Sequence, residues 1–256
     1  MLFSNNLIIA TLLVRDEEDI IEFNIENLIK QGVGIIIATD NDSKDNSKKI
    51  LQKYKQVKII IDEPSLNHDQ KFWVTRMAKV ANEYNPAWIL HVDADELWTG
   101  INRLNYEDHQ GYLKVPLIFQ HPPVNAINWS IQLNEHYSQF FSGLPNTMPK
   151  IIHKKSKDVM VGNGNHTVVG CGFEKIIDYI NIHHYPVRTY EQFQRKVVQG
   201  TTALMNQTGS SKSNAGTHWR QWYDSFNEGN LPNIFNEMCL NCQSLIDQGS
   251  MKKWKQ

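Results

Sequence analysis

Cysteine is scarce in this chain: Cys171, Cys239 and Cys242 are the only three in 256 residues. A small odd number in a chain of this length excludes a disulfide framework. Cys239 and Cys242 form a CxxC pair, but no second pair exists to complete a zinc site, and in the helix-like run NEMCLNCQSLI they read as packing residues. Long apolar runs are also missing, since no stretch approaches the ~20 apolar residues that span a bilayer. The first apolar run, residues 7–14, leads straight into Arg15, Asp16, Glu17, Glu18 and Asp19. It has no basic start and no small-residue cleavage site, so it reads as a buried strand and not as a signal peptide. A cytoplasmic, soluble chain is the expectation. Charge of one sign is not in excess; the net charge of −1 argues against a nucleic-acid partner, which asks for a basic face. Glycine-rich phosphate loops are absent too. With neither GxGxxG nor GxxxxGK[ST], a dinucleotide dehydrogenase and a P-loop NTPase are disfavoured.

What is present is an ordinary globular composition, 41% hydrophobic and 21% charged, and a regular alternation of patterns. Residues 7–14 form a continuous apolar strand. Residues 16–30 place Ile21, Ile25, Leu28 and Ile29 on one helical face behind an acidic first turn, and Gly32 supplies the stop. Residues 33–39 are a second strand, 43–54 a short basic helix, 57–62 a third strand and 67–84 a helix ahead of Pro86. Residues 88–92 are a fourth strand running into Asp93-Ala94-Asp95. This β-α-β-α-β-α-β order predicts an α/β fold with a mostly parallel sheet flanked by helices. Further strands are expected at 111–119, 150–153 and 175–185, with a loop-rich stretch carrying Pro122, Pro123, Gly143, Pro145 and Pro149 between the first two. Helices are expected at 190–205, 218–227 and 231–248, the first two joined by the flexible run GSSKSNAG. The tail, with Lys252, Lys253 and Lys255 around Trp254, reads as a frayed solvated end, peripheral membrane contact being the alternative.

Ligands of such sheets bind beyond the carboxyl ends of the strands. Three polar clusters fall there: Arg15-Asp16-Glu17, Asp40-Asn41-Asp42-Ser43 and Asp93-Ala94-Asp95-Glu96. Two carboxylates as close as Asp93 and Asp95 repel unless a cation or proton sits between them, and a hard divalent cation with positions open for phosphate oxygens is a natural answer. Asp40, Asn41 and Asp42 offer groups for a nucleobase edge or ribose hydroxyls, while Ser43 or Asp45 can cap the next helix. Histidines gather in Gly162-Asn163-Gly164-Asn165-His166 and at His183-His184. Neighbouring histidines on a strand face opposite sides, so at most one of the latter pair faces the site. His166 or His184 completes a metal shell or meets a pyrophosphate.

The segments LLVRDEEDIIEFNIENLIKQGV, IIIATDNDSKDNS and WILHVDADELW, followed by GNGNH and HHYPVRTYEQFQRKV, resemble family 2-type glycosyltransferases, in the branch carrying DADE-F/L-W, a later GNH and H-[FY]-P-x-R. The resemblance spans about residues 7–200. It implies a GT-A fold over residues 1–200, with a nucleotide-binding half (1–100), an acceptor half (101–200) and a helical extension (201–256) of the same domain. It implies transfer of a sugar from a UDP-, GDP- or dTDP-sugar to a glycan, a lipid-linked acceptor or a surface polysaccharide precursor, with Mn2+ or Mg2+ bridging the diphosphate. The nucleotide would meet Val14, Arg15, Asp40, Asn41, Asp42, Arg76 and Asp93. The metal would be held by Asp93, Asp95, His184 and His166. Asn41 stands where a second acidic residue is common and Asp42 where a glycine is, which bears on the identity of the base. An inverting reaction needs a base for the acceptor hydroxyl. Glu96 and Glu135 are candidates, with Asp158 and Glu174 behind them, while Arg188, Lys150 and Arg195 are candidates to offset diphosphate charge. The rival readings are a metal-dependent phosphohydrolase or nucleotidyltransferase and an inactive sugar-binding scaffold using tryptophan platforms. Sequons at Asn41, Asn128, Asn165 and Asn206 read as chance occurrences.

Overall fold

A computed structural model of the protein describes residues 6–64, 69–104, 111–123, 126, 140–205, 217–247 and 252–253. The chain divides into two compact units, one of Met1–Pro64, Asp69–Ile118 and Pro145–His184, the other of Ser65–His68, Phe119–Leu144 and Tyr185–Gln256.

The first unit opens with β1 (Ile8–Val14), α1 (Ile21–Lys30), β2 (Ile35–Asp40), α2 (Ser47–Lys53), β3 (Val57–Asp62), α3 (Gln70–Glu83), β4 (Trp88–Asp93) and β5 (Glu96–Thr99). The chain continues through β6 (Gly111–His121) and β7 (Phe141–His153), of which the stretches up to Ile118 and from Pro145 belong to the first unit, and then β8 (Met160–Val161), β9 (Val168–Val169), β10 (Phe173–Ile176) and β11 (Asn181–His184). The strand order is β3-β2-β1-β4-β7-β6-β11-β5, with β10 added to β6. β1, β2, β3 and β4 are mutually parallel, and β7 runs antiparallel to β4. This is the expected α/β arrangement in its coarse form. The continuous apolar character of β1 and β4 is explained by burial on both faces. Ile9, Ile37, Val74, Met77, Ala78, Ala81 and Ile89 close one side of the core, and Trp73, Trp88 and Trp98 are also buried.

The second unit contains α4 (Tyr190–Met205), α5 (Thr217–Asn227) and α6 (Leu231–Asp247). Phe193, Val197, Leu231, Phe235 and Cys239 form its core, so Cys239 is a packing residue as expected. Lys252 and Lys253 form β12 against Ser142 and Phe141, so the tail there is a strand and not the frayed end that its charge suggested.

Four other boundaries differ from the pattern. α1 starts at Ile21 and α2 at Ser47, because the polar residues before each are used to tie the two loops together. Asp16, at φ +51, accepts from the Lys44 and Asp45 amides, while its own amide donates to Ser43 Oγ. The Glu17 amide donates to Ser47 Oγ, and Glu18 Oε2 accepts from the backbone and side chain of Asn46. β7 starts at Phe141, running through residues expected to be loop. The strand expected at 175–185 is two strands: β10 pairs parallel with β6, and β11 pairs antiparallel with β5.

Candidate functional site at the end of β4

β1 aligns with both neighbours near its carboxyl end: Leu13 is level with Asp93, and Val14 with Asp40, which is itself level with Asp62. The polar strand ends therefore share one rim, and Asp40 and Asp93 stand two strand spacings apart, about 10 Å.

Asp93 ends β4, and a tight turn through Ala94 and Asp95 leads into β5 at Glu96. Asn24 holds this turn. Its fully buried amide donates to the carbonyls of Asp93, Ala94 and Glu96 at 3.2, 2.8 and 2.9 Å. Two further side-chain amides, of Asn27 in α1 and of Gln31 just past its end, continue the contact: Asn27 donates to Trp98 O at 2.8 Å, and Gln31 Oε1 accepts from Gly100 N at 2.9 Å.

Lys150, from β7, lies beneath the turn, its Nζ 2.5 Å from Asp93 Oδ2 and 2.8 Å from Glu96 Oε1. Burial pulls the Lys150 pKa down, but the charges of Asp93 and Glu96 outweigh it and keep the ammonium protonated. Burial raises the Glu96 carboxyl, and Lys150 opposes that. Glu96 Oε2 accepts from Asp93 N and Trp98 Nε1, and the side chain has no solvent-facing surface. Enclosed in this way, Glu96 anchors Lys150 and orients the turn from Asp93 to Trp98. Asp93 Oδ1 accepts from Gln70 Nε2 at 3.2 Å and Asn165 Nδ2 at 3.0 Å.

His184 is level with Glu96 across β5 and β11, which brings its Nε2 to 3.3 Å from Asp95 Oδ1. His183, on the other face, is buried, and burial lowers its pKa to about 4. His166 Nδ1 lies 3.0 Å from Pro149 O, which fixes Nδ1 as the protonated nitrogen; burial also lowers this pKa.

A second network lies along β1, β2 and β3. Asn41 N donates to Val14 O, Arg15 Nη1 approaches Asn41 Oδ1 at 3.4 Å, and Asn41 Nδ2 donates to Glu63 O at 3.0 Å. Arg76 Nη2 meets Glu63 Oε2 at 3.2 Å. Asp40 is buried, and burial raises its pKa against hydrogen bonds from Ser43. Val14, Arg15, Asp40, Asn41 and Arg76 are thus linked as one group, to which the structure adds Glu63. Asp42 is not part of it; at φ +56 it pairs with Lys44 at the surface.

Other expected residues lie elsewhere. Glu135, Asn128 and Asn206 fall outside the described residues. Arg188 is buried in the second unit, where Nη1 donates to Tyr185 O at 2.8 Å and its amide donates to Gln192 Oε1. Arg195 is on α4 of the same unit. Glu174 is engaged at the surface by Lys114 and Tyr112. Asp158 packs its carbonyl against Gly170. Asn41 and Asn165 are buried, which rules them out as glycosylation acceptors in the folded chain.

Among the described residues no group of three or more His, Cys, Asp or Glu side chains converges in a way that could hold a metal. The oxygens of Asp93 are committed to Lys150, Gln70 and Asn165. Asp95 and His184 form a close pair, 3.3 Å apart.

No family model matches the chain, and no curated protein matches it. Among solved structures it is similar to the crystal structure of HddC from Yersinia pseudotuberculosis, with 18% identity over 45% of this chain and 58% of that one and a TM-score of 0.26. The chain thus spans little more than half the length of that protein, and a likeness this slight carries no argument here.

Proposed function

We propose that the protein transfers a sugar from a nucleotide-sugar donor to a hydroxyl acceptor, as a GT-A-type glycosyltransferase. The observation that carries this reading is the level rim: Asp40, beside Arg15 and Asn41, stands two strand spacings, about 10 Å, from Asp93 at the start of the acidic turn. That separation suits the reach from a nucleoside to its diphosphate. The order of motifs, from the strand ends through DADELW and GNGNH to HHYP, supports the same reading. In the reaction the acceptor oxygen bonds to the anomeric carbon, the bond from that carbon to the diphosphate breaks with its electron pair going to the departing diphosphate oxygen, and the hydroxyl proton passes to solvent. Asp95 and His184 would hold a divalent cation, which would supply counter-charge for the departing diphosphate.

The test is the melting temperature of the purified protein with UDP, GDP, dTDP and CMP, each with and without manganese. A ligand that binds only the folded state raises that temperature. A selective rise, followed by release of the same nucleoside diphosphate from its sugar conjugate only when an acceptor is added, supports transfer. Release of phosphate or of free sugar alone points to a hydrolase. No rise at millimolar nucleotide favours an inactive scaffold or a phosphohydrolase over the transferase.

A further inference from the structure

Gln70 has partners of opposite polarity. Its Nε2 donates to Asp93 Oδ1 at 3.2 Å, and its Oε1 accepts from Gly164 N at 2.9 Å. A carboxylate demands a donor and a backbone amide demands an acceptor, so only one orientation of a side-chain amide satisfies both. Glutamate at this position lacks the donor, lysine lacks the acceptor and methionine lacks both.

The segment Gly162–His166 meets the acidic turn at further points. Asn165, buried and at φ +60, donates its amide to the same Asp93 oxygen. Gly164 sits at φ +67, and a Cβ there would meet His166 Cδ2 at 2.5 Å and Nε2 at 2.6 Å, so the backbone of Gly164 lies against the edge of the imidazole. Further along α3, Thr75 Oγ1 accepts from Val161 N at 3.0 Å. The start of α3 itself is fixed by Asp69, which accepts from Phe72 N. Gln70 is therefore held at a capped helix end and joins a carboxylate on β4 to a loop nearly a hundred positions away in sequence.

We propose that Gln70 is a positioning residue: it locks the Gly162–His166 loop onto Asp93, and so sets the His166 ring beside the acidic turn where the diphosphate of the donor would bind. The effect on ligand binding rests on the transferase reading given above; the lock itself does not.

Two variants of the full chain separate the contacts. Gln70→Met removes both, whereas Gln70→Glu keeps the acceptor for Gly164 and replaces the donor to Asp93 with a like charge. In the ligand-free protein, amide exchange at Gly164 is expected to quicken about tenfold in Gln70→Met and to remain near wild type in Gln70→Glu, as expected for one lost hydrogen bond. Affinity for whichever of UDP, GDP, dTDP or CMP stabilises the wild type is expected to fall about tenfold in both. A residue that only stabilises the fold would change melting temperature without this split between the variants. Unchanged Gly164 exchange in Gln70→Met overturns the lock. Wild-type nucleotide affinity in both variants overturns its role in binding. If the wild-type protein binds none of the four nucleotides, the transferase reading fails, and the exchange measurement still decides the lock.

Discussion

Lys150 Nζ lies 2.8 Å from Glu96 Oε1, and both side chains are closed off from solvent. A buried carboxylate of this kind is tolerable only beside its cation. Removing one partner of such a pair costs about 3–5 kcal/mol, because the other is left charged and unpaired. Lys150→Met is therefore expected to lower unfolding free energy by that order in a urea titration. Adding Glu96→Gln removes the orphaned charge, so the double variant should recover a substantial part of the loss. Equal stability of the single and double variants would show that the pair does not act as a unit.

Asn24 makes a different kind of anchor. One amide group serves three carbonyls of the acidic turn, so its loss leaves several acceptors without their donor. Asn24→Leu keeps the volume and is expected to cost about 1–3 kcal/mol. Asn24→Asp places a carboxylate against carbonyl oxygens and should be worse than Asn24→Leu. Denaturant titration of the two variants ranks them, and the reverse order would count against the clamp.

That anchor also marks what was legible in the sequence. The apolar stripe of α1 was readable from Ile21, Ile25 and Leu28, because helical spacing is a local property. Asn24, Asn27 and Gln31 form a second stripe of amides at helical spacing along the same helix, and such a stripe beside an apolar face is a readable signal for a helix that hydrogen-bonds to exposed carbonyls. Its target was not readable, since Asn24 and Glu96 are 72 positions apart. The same limit hid Gln70 and the pairing of Lys150 with Asp93 and Glu96. Asp95 and His184 were legible as candidate partners because each falls at a strand end. The early starts expected for α1 and α2 failed for a related reason: Asp16 and Ser43 look like helix-start residues, but their oxygens are taken by the facing loop, while Asp45 divides its carboxylate between Glu18 N across that gap and Ser47 N at the start of α2. Glu63 carried no signal beyond its place at the end of β3.

Beneath the site, His91 and His153 are fully buried and join at Nε2 to Nε2, 2.9 Å apart. His153 Nδ1 faces Lys154 O, so its proton sits there and its Nε2 accepts from His91; His91 Nδ1 then accepts from Thr11 Oγ1. The chain is complete only with both rings neutral. Burial lowers both pKa values, that of His153 to about 4. The unfolded state therefore takes up protons more readily than the folded one. Stability from this source is full above the unfolded value near 6.5, is lost as pH falls from there toward 4, and levels off below. For His153 alone the loss is roughly 3 kcal/mol across that window. Unfolding free energy measured from pH 7.5 to 4 should fall accordingly, and His153→Gln should flatten the slope while lowering stability at neutral pH. A slope unchanged by that substitution would assign the acid sensitivity to other groups, His183 among them.

The acidic turn offers the sharpest contrast between two neighbouring carboxylates. Asp93 gives its oxygens to Lys150, Gln70 and Asn165, whereas Asp95 stands 3.3 Å from His184, a spacing compatible with two donors sharing one cation. Asp95→Asn and His184→Ala are therefore expected to abolish most of the manganese-dependent part of a nucleotide-induced rise in melting temperature. Asp93→Asn is expected to do the opposite. It removes a charge that helps hold Lys150, so the ligand-free melting temperature drops while a manganese-dependent increment survives. The reverse pattern, with Asp93→Asn silencing manganese and Asp95→Asn leaving it intact, would make Asp93 the metal ligand and require Lys150 to withdraw when the cation binds.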